Sequence, residues 1–369
     1  MNSPNKRFSY DLATPEDGPA LLEILEEHPL PGPVSLLYTR RPDPFASFGM
    51  EGREVDIIVC RDRENGRICG MGAMAIRDWH LNGRPEKVGY LFGLRARRDY
   101  QGAMGMLQRG YAFYGDLCRE RGVDYYLTTI LNDNHRARKM LEKRRSFMPN
   151  YHYICDYRVY ALRSLKETLH PGFTLRPARD EDRRNLLSFY RDNGAGQQFY
   201  PVVDEEMFSG TLYPDLNLSD FLILEDDRGA LLAAAARWDQ QRYKQYVVSR
   251  YQGMLKWFAP LSFILPLLRM PPLPRPGSIL NFFTLSFVAV RENNAAFLAA
   301  FLDLLGPYSR QYPFFLLGLA EPSPLATAAR KRPHIAYPSR VYLVDWRKRP
   351  AFPDNLDPDY PFYLECGLL

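Results

Sequence analysis

The chain begins the same structural unit twice. "FSYDLATPEDGPALLEIL" starts at Phe8 and "FTLRPARDEDRRNLLSFY" starts at Phe173. Each reads as a short strand, a polar turn with an acidic pair (Glu16-Asp17, Glu181-Asp182), then a helix with a Leu-Leu pair (Leu21-Leu22, Leu186-Leu187). The offset is 173 − 8 = 165 residues and needs no gap. A second echo closes each stretch, "YRVYAL" from Tyr157 and "SRVYLV" from Ser339. Matching starts and matching ends point to a duplicated domain, and 369 residues hold two of ordinary size. The expected limits are 1–163 for an N-terminal domain and 173–346 for a C-terminal one, with a C-terminal tail at 347–369.

Within the first half, "VDIIVC" reads as a strand, "RDRENG" as a turn through Asn65-Gly66, and "ICGMGAMAIRDWH" as the return strand. "LNG" (Leu81 to Gly83) turns into "VGYLFGLRA", and the polar loop "RRDYQGAMGM" (Arg97 to Met106) follows. Leu107, Tyr111, Tyr114 and Leu117 then recur near helical spacing. "VDYYLTTIL" is a buried strand, "HRARKMLEKRR" a short basic helix and "YHYICDYRVYAL" the closing strand. The second half repeats this outline through "DFLILEDDRGALLAAAARW", "ILNFFTLSFVAV", "NNAAFLAAFLDLL" and "PFFLLGLA". It adds an insertion at 240–277, helical in pattern, expected to cover the core. Arg242, Lys244, Arg250 and Lys256 beside its apolar residues make membrane-surface contact through 240–270 the alternative.

Composition narrows the function classes. A net charge of +5 is too slight for a nucleic-acid-coating surface and suits an anionic ligand at one spot. The cysteines (Cys60, Cys69, Cys118, Cys155, Cys366) form no C-x-x-C pair, so free thiols and no metal site are expected. "MNSPNKRFSYDL" lacks the apolar core of a signal peptide. "MLKWFAPLSFILPLLRM" is too short to span a bilayer and contains Lys256, Pro260 and Pro266. A soluble cytoplasmic protein is expected. No G-x-S-x-G, H-E-x-x-H or Walker A motif occurs.

The element order, with a polar glycine turn after the fourth strand, resembles the GCN5-related N-acetyltransferase (GNAT) superfamily over nearly all of Phe8 to Leu162. The most specific piece is "NDNHRARKMLEKRRSF", which is similar to the family's N-x-x-A-x-x-L-Y-E-K-x-G-F segment. Asn134, Ala137, Met140, Glu142 and Lys143 fall in place, and Phe147 lies one residue beyond the pattern's phenylalanine. "LRPARDEDRRNLL" (Leu175 to Leu187) is similar to a typical GNAT opening. The resemblance implies an α/β (α+β) fold of two tandem GNAT-like domains, each a mixed, mostly antiparallel sheet flanked by helices. After "FVAV" the second half has no glycine loop, and "EPSPLATAARKR" replaces N-x-x-A. That copy is expected to be degenerate, to bind no coenzyme A, and to shape an acceptor pocket or an interface.

The activity the resemblance implies is acyl-CoA-dependent N-acyl transfer, with acetyl-CoA (or another acyl-CoA) as donor. A small-molecule amine attacks the thioester directly. The alternative is a non-catalytic GNAT-fold pseudoenzyme that binds or scaffolds. A weaker variant uses long acyl chains, suggested by the apolar insertion, or charged tRNA, disfavoured by the modest charge.

By the same resemblance, Leu94, Arg95 and Ala96 lie along the pantetheine arm, and a backbone N–H there serves the thioester oxygen. Gln101, Gly102, Ala103, Met104, Gly105 and Met106 form the pyrophosphate loop, with Arg95, Arg97 and Arg98 beside it. The loop departs from the family pattern at Met104 and Met106, where small residues are usual. Asn134 contacts the cofactor, caps the next helix, or does both. The family's usual acid is the tyrosine of L-Y-E-K, and Leu141 stands at that position. Candidate replacements are Tyr100, Tyr126, Asp78 and His80, the last two on the strand expected to face the cleft.

Overall fold

In the computed structural model, residues 7–30, 32, 34–143, 145–164, 168–253, 256, 274–349 and 353–369 are described. The first half comprises β1 (Phe8–Leu12), α1 (Gly18–Glu26), β2 (Val34–Thr39), α2 (Pro44–Gly49), β3 (Glu54–Asp62), β4 (Ile68–Leu81) and β5 (Arg84–Ala96). It continues with α3 (Met104–Arg121), β6 (Tyr125–Leu131), α4 (His135–Leu141) and β7 (Asn150–Arg163). The second half comprises β8 (Phe173–Pro177), α5 (Arg183–Gly194), β9 (Phe221–Asp226), β10 (Leu231–Trp238) and β11 (Gln245–Tyr251). β12 (Phe282–Val290), α6 (Ala295–Leu304), β13 (Phe314–Glu321), α7 (Ala326–Arg330) and β14 (His334–Asp345) complete it.

The repeated acidic pair has a local use. Asp17 accepts from the Thr14 N–H at 3.0 Å, and Asp182 accepts from the Arg179 N–H at 2.8 Å. Each carboxylate secures the turn that starts a helix, as in a capping box.

Twelve strands form one sheet in the order β1-β3-β4-β5-β6-β14-β7-β13-β12-β10-β9-β8. Among the described residues only β5–β6 and β12–β13 are parallel, so the sheet is mixed and mostly antiparallel. At its centre the strands alternate between halves. β14 lies between β6 and β7, and β7 lies between β14 and β13. The inner edge of each half is thereby paired with a strand from the other, which removes two exposed edges.

α1 and α2 cover one face of the first half, burying Leu21, Ile24, Leu25 and Phe48 against Ile57, Val59, Met71 and Ala73. α3 covers the opposite face, where Tyr114, Leu117 and Cys118 meet Ile58, Met74, Ile76 and Leu91. Each such large apolar side chain contributes roughly 1.5–3 kcal/mol on burial.

The stretch "HPLPGPVSLLYTRRPDPFASFG" contains β2 and α2. Asp43 caps α2 by accepting from the Ala46 N–H at 3.0 Å. Two sequence expectations need correction. The insertion at 240–277 was expected to be helical, but it contains β11, which pairs antiparallel with β2. Residues 257–273, on which the membrane-surface alternative mainly rests, lie outside the described residues. Among the described helices, none is long and apolar enough to cross a membrane. The segment after β14 was read as a tail, yet Leu356, Tyr363, Leu364, Glu365 and Leu368 are buried between the halves.

Candidate active site

β5 and β6 are parallel partners only at Val88↔Tyr125, Gly89↔Tyr126 and Tyr90↔Leu127. Beyond Tyr90 they diverge, although β5 runs to Ala96 and β6 to Leu131. Three hydroxyls close the apex of this split. Thr128 Oγ1 donates to the Leu91 carbonyl at 2.8 Å, and Tyr90 Oη lies 2.7 Å from Thr129 Oγ1. Burial pushes the Tyr90 hydroxyl up to about 12.

Just above the apex β5 carries a bulge. Met71 pairs with Arg95 and Ala73 with Phe92, so Gly93 and Leu94 together face Gly72. Gly93 holds φ +66, a conformation glycine adopts without the cost of a β-carbon. A two-against-one bulge interrupts the ladder and re-aims the backbone. Leu94 is 53% exposed.

The loop after β5 leads into the N-terminus of α3, which has no side-chain cap. Its positive end and unpaired first amides are suited to an anion. Gly102 has φ +94, and a β-carbon there would meet nothing within 4 Å, so the loop has open space beside it. Met106, where a small residue was expected, turns inward. Its sulfur lies 3.8 Å from Cys69 Sγ, and its carbonyl accepts from the Tyr10 hydroxyl. Gln101 Oε1 accepts from Arg136 on α4 at 2.8 Å, joining loop and helix. Asn134 Oδ1 accepts from the Ala137 N–H at 3.1 Å, so it caps α4.

The three loop arginines are engaged elsewhere. Arg95 donates to the Leu25 carbonyl at 2.8 Å. Arg97, 5% exposed, pairs with Glu23 at 2.6 Å and donates to the Ile68 carbonyl. Arg98 donates to the Glu27 carbonyl at 2.6 Å. All three tie β5 and its loop to the C-terminal part of α1, where cations complement the helix dipole.

The four candidate acid–base residues are not brought together at the split. Tyr100 donates to Asp62 at 2.8 Å and packs its ring edge-on against Phe8. Tyr126 donates to the Cys118 carbonyl at 2.9 Å within the core beneath α3. Asp78 lies opposite Lys87 and pairs with Arg53 at 3.2 Å. His80 lies opposite Pro85, and its backbone bonds to Phe199 and Tyr200 of the second half. Burial lowers the His80 pKa. From Lys87 to the bulge at Gly93 is about 20 Å of strand, because Asp78 and His80 sit at the hairpin end of β4.

Sequence reasoning missed several groups. His28 Nε2 lies 3.0 Å from the Ala96 carbonyl, reached from the loop after α1. On the side of the sheet opposite α3, Arg40, Glu51, Arg77 and Lys244 form a buried cluster. Glu51 pairs with Arg40, with Arg77 at 3.2 Å, and with Lys244 of the second half at 3.4 Å. Burial alone would raise the Glu51 carboxyl, but Lys244, Arg40 and Arg77 outweigh it and hold the value at about 2. Arg40 lies over Phe48 at 4.3 Å, and Arg77 lies over Tyr90 at 5.3 Å. The bulge alone had a readable signal, an isolated glycine inside a strand pattern. Among the described residues, no group of three or more His, Cys, Asp or Glu is placed to hold a metal ion.

Residues 21–147 match the Acetyltransferase (GNAT) family. No curated protein matches the chain in sequence. Among solved structures, the chain is similar to a GCN5-related N-acetyltransferase from Sphaerobacter thermophilus, with TM-score 0.55 and 12% identity, covering 92% of this chain and 96% of that one. It is also similar to Saccharomyces cerevisiae N-myristoyltransferase with bound myristoyl-CoA, with TM-score 0.58 and 10% identity, covering 99% and 93%. A third likeness is to the GCN5-related glucosamine N-acetyltransferase region of a fungal multi-domain β-N-acetylglucosaminidase, with TM-score 0.61 and 14% identity. There 91% of this chain spans only 38% of the other. At these identities the likenesses establish the fold.

Proposed function

Residues 21–147 belong to the GNAT acetyltransferase family, within a two-lobed GNAT-like fold, and from that premise we propose that the protein transfers an acyl group from coenzyme A to an amine at the β5–β6 split. The observation that carries this is the bulge at Gly93 and Leu94 beside the diverging strands. An extended pantetheine arm lies along Leu94, Arg95 and Ala96 as an added strand. The backbone N–H groups of Gly102, Met104 and Gly105, with the α3 N-terminus, take the pyrophosphate, while those of Gln101, Ala103 and Met106 donate to the carbonyls of Arg98, Tyr100 and Ala103. Arg136 borders that loop from α4, and Asn134 caps that helix.

The donor is acetyl-CoA and the acceptor is a small-molecule amine. The amine nitrogen attacks the thioester carbonyl, and a backbone N–H of the bulge stabilises the developing oxyanion. The carbon–sulfur bond then breaks, the proton that the amine nitrogen sheds passes to solvent, and the thiolate takes a proton from the Tyr90–Thr129 hydroxyl pair at the apex, which solvent restores. With its value raised to about 12, the Tyr90 hydroxyl is protonated at neutral pH and so holds the proton to be transferred.

Isothermal titration with coenzyme A and acetyl-CoA tests the donor site. Binding in the millimolar range or tighter is expected, weakened by Gly102→Val, which forces a β-branched residue into left-handed backbone. No heat with any acyl-CoA would sink the assignment. Turnover of any amine in a panel would exclude a purely non-catalytic role.

A further inference from the structure

The second half repeats both the split and the bulge. β12 and β13 pair at Phe282↔Phe314, Phe283↔Phe315 and Thr284↔Leu316, although β12 runs on to Val290. On its other side Ala234 pairs with Ala289 and Ala236 with Ser286, so Phe287 and Val288 together face Ala235. That is the arrangement of Gly93 and Leu94 facing Gly72. Phe287 holds φ +52 where Gly93 holds +66. A bulky residue in this conformation costs on the order of 1–3 kcal/mol and persists only when its surroundings over-determine it.

The segment after β14 does so. The Phe287 N–H donates to the Glu365 carboxylate, and the Val288 N–H donates to the Tyr363 hydroxyl at 3.0 Å. Glu365 also accepts from the Tyr363 hydroxyl at 2.7 Å and from the Gly367 N–H at 2.8 Å. It is 0% exposed. Rings of Trp238, Tyr213 and Phe221 surround Phe287. A β-carbon on Gly367 would stand 2.7 Å from Trp238 and from Ser286 Oγ, so the segment is fitted closely.

We propose that residues Tyr363 to Gly367 are a built-in ligand of the second half's cleft. The Glu365 carboxylate takes the bulge N–H that an acyl donor's carbonyl oxygen would otherwise take, so this cleft is closed to donors and each chain binds one. The missing glycine loop in this half is then of no consequence, because nothing anionic has to reach it. The same segment also touches the first half. The Tyr157 hydroxyl of the first half donates to the Leu364 carbonyl at 3.0 Å, and Lys244 of the second half links the Gly367 carbonyl, at 3.3 Å, to Glu51 of the first.

Amide hydrogen exchange on the whole protein, with and without coenzyme A, tests the plug at Gly93, Leu94, Phe287 and Val288. Phe287 and Val288 are expected to exchange slowly without ligand and to be unaffected by coenzyme A. Glu365→Ala is expected to speed Phe287 by about tenfold, the equivalent of one lost buried hydrogen bond. Native mass spectrometry should find one coenzyme A per chain. Fast exchange at Phe287 and Val288 in the unliganded wild type, slowing there by coenzyme A, or a second bound molecule would overturn the proposal. So would a folded Glu365→Ala protein with unchanged exchange. If that variant does not fold, the wild-type exchange alone decides. Should coenzyme A leave Gly93 and Leu94 unaffected, the donor site of the first cleft fails, while the unliganded exchange at Phe287 still decides the plug.

Discussion

Glu51 is one carboxylate compensating three buried cations drawn from separate parts of the chain: Arg40 after β2, Arg77 on β4 and Lys244 before β11. Removing one partner from such a cluster leaves charge buried without compensation, which costs about 3–5 kcal/mol. Glu51→Gln should therefore lower stability by that order in urea denaturation. The sign of the pH effect follows from the depressed carboxyl. Its folded value, about 2, lies below the usual glutamate value near ~4.3. The contribution is fully present above the unfolded value and is lost as pH falls through the folded one. Stability of the wild type should fall more steeply than that of Glu51→Gln between about pH 4.5 and 2. Tyr90 offers a chemical counterpart. If its hydroxyl protonates the leaving thiolate, Tyr90→Phe should cut kcat by about 10²-fold or more while coenzyme A affinity holds, as read by steady-state kinetics beside calorimetry. An equal loss in affinity and rate would assign Tyr90 to binding instead.

At the scale of elements, the β5 bulge joins backbone geometry to ligand geometry. Gly93→Ala forces a β-carbon into left-handed backbone, where it would stand 3.6 Å from Phe48. A stability loss of about 1–2 kcal/mol is expected, with weaker coenzyme A binding, checked by thermal denaturation and titration. Many elements were legible because their signals are local. Asn65-Gly66 and Asn82-Gly83 are turn dipeptides whose flanking strands pair directly. β11 was not legible, because the aromatic and apolar spacing of "RYKQYVVSRY" suits a helix until β2 supplies an edge from far along the chain. The loop arginines misled for a related reason. Spacing marks Arg95, Arg97 and Arg98 as basic, but says nothing of α1 carbonyls and Glu23 lying alongside. The place of the loop between β5 and α3 and the Asn134 cap could be read, whereas Tyr90–Thr129 and the Glu51 cluster are long-range meetings without a motif.

For the whole molecule, duplication was visible in two sequence echoes, but interlacing was not. A strand pattern records that a segment will pair, not with which neighbour. Because β14 separates β6 from β7, neither half has a complete sheet of its own. Residues 1–164 expressed alone should be insoluble or lack a cooperative unfolding transition, since β6 would present a bare edge. Co-expression with 165–369 should restore a soluble pair, measured by co-purification and circular dichroism. A stable, monomeric 1–164 fragment would contradict this. The same interlacing sets a schedule during synthesis. β6 is finished at Leu131, but the strand that shields its edge ends at Asp345, about 200 residues later. At roughly 5–20 residues per second, that edge waits on the ribosome for roughly 10–40 s before its partner emerges. The nascent chain is then most exposed to misassociation, and a holding chaperone would act in that interval.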